Sequence, residues 1–273
     1  MNYIDFLKRR MMCSGPAEHD YSQDYLTFTM QESTTSLGMK KSSSSAPSTT
    51  VQYRKNGGNW TTLTVSTSNN YISASAGDVI EWKSSAAVSN SSGYTYFQCP
   101  AKFDVSGNIM SMIGGDNYKT TTSAGTYALR NLFYSTKVVD ASNLVLPATS
   151  VSTYSYAYMF SGCTELVHSP KILPANSIGQ YCYYYMFNGC SKMLDSPELP
   201  AAILSRSCYA YMFYNCSVLS SIKCLTTNNN ANGCTGNWVA GVAGSGTFTK
   251  AASFSNWGTG NSGIPSGWTV VNV

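Results

Sequence analysis

The sequence predicts a mostly β protein with short helices: an N-terminal antiparallel β-sandwich followed by a short leucine-rich-repeat solenoid with a C-terminal cap. Three observations carry this expectation. The pair Met-Phe recurs at Met159-Phe160, Met186-Phe187 and Met212-Phe213, at a period of 27 and then 26 residues. Residues 25–113 alternate apolar and polar positions with the period of two that half-buried strands require. Large aromatic residues gather again after the repeats, at Trp238, Phe248, Trp257 and Trp268. The last unit of a stacked array needs such a cover.

The repeats are the firmest element. From Tyr156 the chain reads YAYMFSGCTELVHSPKILPANSI, from Tyr183 YYYMFNGCSKMLDSPELPAAIL and from Tyr209 YAYMFYNCSVLSSIKCL. A weaker copy places Leu132-Phe133 27 residues before Met159-Phe160, followed by Val138-Val139. Periods of roughly 20 to 29 residues with recurring apolar positions mark leucine-rich-type solenoids. Each unit runs from tyrosines into Met-Phe, a spacing that suits a short helix or helical turn. A Gly-Cys or Asn-Cys turn follows. Then comes a short apolar run (Leu166-Val167, Met193-Leu194, Val218-Leu219) that suits a strand of a few residues. One unit cannot bury its own apolar face, but a stack can. Phe133, Phe160, Phe187 and Phe213 are therefore expected to form one buried column.

The stretches MFSGCTELVHSPKILPA, MFNGCSKMLDSPELPA and MFYNCSVLSSIKCL resemble the BspA-like leucine-rich repeats of surface proteins of gut bacteria and of proteins of their phages. FDVSGNIMSMIGGDNY (Phe103 to Tyr118) resembles the junction that precedes such repeats, and residues Gly246 to Val273 resemble their usual ending. The resemblance covers roughly Leu26 to Val273. It implies a repeat scaffold used for adhesion and recognition, with no defined chemistry.

Taken in order, residues 1–24 read as an anchoring segment. In MNYIDFLKRRMMCSG, the apolar Ile4, Phe6, Leu7 and Met11 with the basic Arg9 and Arg10 suggest a short amphipathic helix. A secretory signal would place its basic residues first and then 7 to 15 apolar ones; here the order is wrong and the apolar run is missing. The segment is expected to dock onto another virion or assembly protein, with a helix folded back on its own domain as the alternative. Residues 25–113 are the sandwich. Leu26, Phe28 and Met30 share a face, as do Val51 and Tyr53; Asn56-Gly57-Gly58-Asn59 signals a hairpin turn. Ile80 and Trp82 alternate against Val79, Glu81 and Lys83. Trp60 and Trp82 are read as core. Residues 114–225 hold a Gly/Thr-rich junction and the repeats. In the cap, residues 226–273, Trp238 to Val242 suggest a short helix, Gly246 to Lys250 a strand and Gly267 to Val273 a last strand.

Composition narrows the function. Charged residues are 11% of the chain, well under the ~25% of ordinary soluble domains. A net charge of +4 leaves no basic footprint, so no nucleic-acid partner is expected. No apolar run approaches the ~18 residues of a membrane span, so no membrane insertion is expected. Among the nine cysteines, Cys163, Cys190 and Cys216 share one repeat position, and Cys182 and Cys208 another. Equivalent positions stack, so a column of buried reduced thiols is expected, with inter-repeat disulfides or a metal site as alternatives.

No active site is legible. The two histidines are His19 and His168, and His168 aligns with Asp195 and Ser221. No nucleophile elbow or phosphate loop occurs, so no catalytic, cofactor or metal residues are assigned. The candidate ligand face is a row of variable polar residues at matching repeat positions: Glu165, His168, Lys192, Asp195, Ser220 and Lys223. Tyr156, Tyr184 and Tyr211 are expected to pack between repeats, with stacking on sugar rings as the alternative. The expected function is a non-enzymatic structural and adhesive component of a phage virion, a fibre or decoration protein. It would be held through residues 1–24 and bind a host-surface protein or glycan through the repeats. A bacterial cell-surface adhesin of the same repeat family is the alternative, an intracellular interaction module a third. Homo-oligomerisation is left open.

Overall fold

The computed structural model describes residues 19–68 and 70–273. The anchor residues Ile4, Phe6, Leu7, Arg9, Arg10 and Met11 lie outside the described residues. The chain is mostly β, with antiparallel sheets in its first part and a β-solenoid of about six turns in its C-terminal part.

Alternation puts Leu26, Phe28 and Met30 of β1 (Leu26–Met30) on one buried face, as expected. β1 lies between β6 (Val79–Ser84) and β8 (Phe103–Asn108), both antiparallel to it. Beyond β6, β3 (Val51–Lys55) and β4 (Thr61–Leu63) form a hairpin. Its turn needs φ of 53° at Asn56 and 73° at Gly57, which Asn-Gly accommodates. All of β6 is buried, and its charges are paired. Glu81 accepts two bonds from Arg54, at 2.6 and 2.7 Å, and Lys83 donates to Asp116 at 2.7 Å. A buried charge without such a partner would be costly. The second antiparallel sheet has the order β5 (Tyr71–Ala74), β2 (Thr34–Lys41), β7 (Thr95–Gln98). The two sheets meet at Phe97, whose ring centroid lies 4.7 Å from that of Phe28 and 5.0 Å from that of Trp82.

Trp82 is core, but Trp60 is not. It stands half-exposed just before β4, the outermost strand of its sheet. There two cations lie over its ring: Lys83 Nζ is 4.3 Å and the Arg54 guanidinium 4.9 Å from the ring centroid.

After the short helix α1 (Ser111–Gly114) the chain winds into the solenoid. Two of its ladders are short parallel sheets. One has the order β9 (Ser123–Ala124), β11 (Ser150–Val151), β12 (Ser177–Ile178); the other runs β13 (Ser221–Cys224), β14 (Thr247–Lys250), β15 (Thr269–Asn272). Single bridges join Asp140 to His168 and His168 to Asp195, so the short apolar run before each ends in one bridge and not in a full strand.

The remaining wall is neither strand nor the helical turn that its apolar spacing suggests. Tyr154 to Gly162 is an unbroken run of turns, and along it alternate N–H groups serve different partners. Those of Ala157, Met159, Ser161 and Cys163 bond three residues back, at 3.0 to 3.3 Å. Those of Tyr156, Tyr158, Phe160 and Gly162 reach the carbonyls of Cys182, Tyr184, Met186 and Asn188 in the next turn, at 2.7 to 2.9 Å. A helix would consume every interior N–H internally and leave none to join the turns. The stretch expected as a helix at Trp238 to Val242 is another such run: Val239 N–H reaches the Asn261 carbonyl while Trp238 and Ala240 bond three residues back. The solenoid thus continues past Leu225 through β14 and β15.

Inside this wall Phe133, Phe160, Phe187 and Phe213 are fully buried, with successive ring centroids 5.0, 5.4 and 5.8 Å apart. That is close to the ~4.8 Å spacing of stacked strands. Trp238 ends the column 6.0 Å from Phe213, and Trp257 lies flat on it at 5.6 Å. At the other end Phe133 meets Phe97 at 5.6 Å, and β10 (Asn143–Val145) pairs parallel with β8. The core is therefore continuous across the junction after Ile113. The eight described cysteines are free and buried. Each of Cys163, Cys190 and Cys216 donates from Sγ to the phenylalanine carbonyl one turn back, at 3.0 to 3.1 Å. A small apolar side chain with one weak donor fits that place. Burial pushes the Cys163 thiol up to about 12 and raises Cys190 and Cys216 as well.

Candidate recognition face

Every fourth residue of the turn wall lies in the left-handed backbone region. In the second solenoid turn these are Tyr154 (φ 57°), Tyr158 (59°) and Gly162 (77°); in the third they are Tyr181 (55°), Tyr185 (55°) and Gly189 (75°). In the fourth they are Ser207 (50°), Tyr211 (57°) and Asn215 (59°). Tyr127, Asn131 and Ser135 precede them, and Gly233, Asn237 and Gly241 follow. Stacking turns this pattern into three columns. A Cβ in this region costs roughly 1–2 kcal/mol, and Gly and Asn are its usual occupants. One column keeps to Ser, Gly and Asn throughout. The other two carry tyrosine, one in its first three turns (Tyr127, Tyr154, Tyr181) and one in its middle three (Tyr158, Tyr185, Tyr211), the bulky choice at a strained position.

These tyrosines point outward and are half-exposed. They form two ladders of parallel rings. Tyr154 lies between Tyr127 at 5.2 Å and Tyr181 at 4.7 Å, with planes within 7°. Tyr185 lies between Tyr158 at 5.2 Å and Tyr211 at 4.5 Å, with planes within 10°. Tyr184 stands edge-on between the ladders, 5.5 Å from Tyr181 and 4.6 Å from Tyr185. Burial pushes the Tyr158 and Tyr185 hydroxyls up to about 12, so both stay neutral and can donate at ordinary pH. The Arg130 guanidinium lies 4.9 Å from the Tyr127 ring centroid, at the head of the first ladder.

The expectation that Tyr156, Tyr184 and Tyr211 all pack between repeats holds for one of the three. Tyr156 is 1% exposed and stacks on Tyr183, whereas Tyr184 and Tyr211 lie on the outer face. The backbone reverses within each four-residue turn, so neighbours such as Tyr183 and Tyr184 leave on opposite sides.

The polar residues taken as a ligand face are joined turn to turn. Glu165 accepts from Lys192 at 2.8 Å, which holds its carboxyl below the usual carboxylate range. His168 and Asp195 are 3.1 Å apart, and Lys223 donates to Glu198 at 2.9 Å. Ser220 is exposed and its carbonyl accepts from Thr247 N–H at 2.8 Å. These contacts serve stacking, although exposed pairs of this kind contribute only ~0–1 kcal/mol each. Tyr158 and Tyr185 belong to the tyrosine runs that the sequence shows, but the outer tyrosines Tyr127, Tyr154 and Tyr181 were not singled out by sequence reasoning. Their signal was available: tyrosine alternates with Gly, Asn and Ser at every fourth residue and at matching places in successive repeats.

Among the described residues, no group of three or more His, Cys, Asp and Glu is placed to hold a metal ion. No helix among them is long and apolar enough to cross a membrane. No family model, curated protein or solved structure matches this chain.

Proposed function

We propose that this chain is a non-enzymatic recognition module that binds surface glycans with the tyrosine face of its solenoid. The observation that carries the reading is the occupancy of the left-handed columns. The fold is served there by Gly, Asn or Ser, yet three successive turns of each of two columns hold tyrosines whose rings face solvent. Residues kept in a strained conformation argue for a role beyond folding. Tyrosine supplies rigid, amphipathic contact area at low entropic cost, with an apolar ring for sugar C–H faces and a hydroxyl for their polar edges. We read the two antiparallel sheets as the layers of a sandwich that closes the first solenoid turn. The resemblance to BspA-like leucine-rich repeats supports a virion surface as the setting, as a fibre or decoration protein attached through residues 1–24.

A glycan array probed with the purified chain tests the binding. Retention on polysaccharide spots, lost in Tyr154→Asn/Tyr185→Asn with an unchanged melting curve, is the expected result. Equal retention by the double variant would refute it. Mass spectrometry of purified particles tests the setting. Absence from particles, with presence on intact bacterial cells, would move the module to a cell-surface adhesin.

A further inference from the structure

A groove of about 610 Å³ opens between the β5-β2-β7 sheet and the first solenoid turn. That is the size of a small-ligand site. Tyr71, Tyr94 and Tyr96 line it from the sheet side, and Tyr134 and Lys137 from the solenoid side. Gln98 also lines it. Its side-chain carbonyl accepts from the Tyr71 hydroxyl, and its amide N–H groups have no partner among the described residues. No carboxylate lines the groove. Lys137 is half-buried there and forms no ion pair among the described residues. The one thiol in the lining, Cys99, stays neutral because burial pushes it up to about 11. The Arg130 guanidinium, outside the lining itself, lies 5.6 Å from the ring centroid of the lining residue Tyr94 and 4.9 Å from that of Tyr127 at the head of the first ladder. A cation therefore lies between a tyrosine of the groove and the head of the ladder.

We propose that this groove binds a carboxylate-bearing pyranose, the acidic sugar of a surface glycan whose neutral neighbours lie along the tyrosine ladders. The inference deepens the glycan reading and rests on it. Tyrosine rings take the ring C–H face, and the Gln98 amide and the tyrosine hydroxyls take the sugar hydroxyls. Lys137 takes the carboxylate, with Arg130 adding positive field. The pairing follows from sign: an uncompensated cation at an aromatic groove without acids favours an anion of matching size.

Saturation-transfer NMR on the full chain, with glucuronate and glucose as probes of one ring shape and two charges, tests this. Glucuronate is expected to bind more tightly than glucose. Lys137→Gln should weaken glucuronate by about tenfold, the effect of losing one charge-assisted contact, and leave glucose unchanged. Lys137→Arg should keep the preference. Equal binding of the two sugars, or a preference that survives Lys137→Gln, overturns the proposal. So does an oligoglutamate that competes as well as glucuronate, because the site would then read carboxylates without the sugar. Failure here is separable from failure of the ladder reading. Polysaccharide binding that depends on Tyr154 and Tyr185 but not on Lys137 removes the groove and leaves the ladders.

Discussion

The turn wall of the solenoid has two faces built from one residue type. Tyr156, Tyr183 and Tyr209 are 1% exposed and stack inside with the phenylalanine column. Tyr154, Tyr158, Tyr181 and Tyr185 stack just as regularly on the outside, half-exposed, on left-handed backbone. The inner rings gain by burial, which needs no special conformation. The outer rings gain less from burial and sit where Cβ is disfavoured. Regular stacking alone therefore does not tell core from surface. Backbone conformation and exposure do, and they divide these tyrosines into those that hold the fold and those that the fold holds up.

The largest expected contrast lies between adjacent positions. Phe187→Ala should lose ~3–5 kcal/mol of stability, since its cavity would sit between Phe160 and Phe213 with nothing free to fill it. Denaturant unfolding measures this. A loss no greater than that of an outer tyrosine would erase the distinction between the faces.

Alkali should act next. The Cys163 and Cys224 thiols are pushed by burial from 9.0 to about 12, and the Tyr158 and Tyr185 hydroxyls from 10.0 to about 12. Raised folded values mean that the folded state holds its protons longer than the unfolded one. Stability from these groups is fully present below pH 9 and falls as pH rises from about 9 to about 12. Denaturant midpoints measured in reductant across that window should decline steadily. A flat profile would mean that these groups are not desolvated.

A smaller effect isolates the backbone. Gly189 has φ of 75°, and a Cβ there would meet only the Cα and N of Gly162, at 3.9 and 4.0 Å. Gly189→Ala should therefore cost about 1 kcal/mol through conformation alone. No loss in thermal melting would mean that the left-handed columns are not strained, and the case built on the tyrosines would weaken with them.

Much of this was legible in the sequence. The Met-Phe period located the solenoid and its phenylalanine column, and alternation located β1, β3, β6, β7 and β8. The Asn-Gly pair marked the hairpin. β2 and β5 were missed because Thr34–Lys41 and Tyr71–Ala74 lack clean alternation; β2 buries three successive residues, Leu37 to Met39. The turn wall was misread because apolar spacing of three or four residues serves repeated turns as well as a helix. Spacing does not reveal that alternate N–H groups point to the next turn. The candidate ligand face rests on variable polar residues, and spacing does not reveal that Glu165, His168, Lys192 and Asp195 also pair between turns. Which tyrosines face out depends on how the turns fold, which spacing does not reveal: Tyr154, Tyr158, Tyr181 and Tyr185 do so on left-handed backbone, and Tyr184 does so without it.

The central claim is that the outer tyrosines are kept for recognition and not for the fold. The molecule supplies the control, because Asn131 and Asn237 occupy the same column as Tyr158, Tyr185 and Tyr211. The direct measurement is the unfolding free energy and the glycan affinity of Tyr158→Asn/Tyr185→Asn, on one preparation. Lost ring stacking of ~0.5–1.5 kcal/mol per pair and relieved strain of ~1–2 kcal/mol per residue nearly cancel. Stability should therefore stay within about 1 kcal/mol of the parent while binding disappears. A double variant that unfolds readily, or one that still binds, would contradict the account.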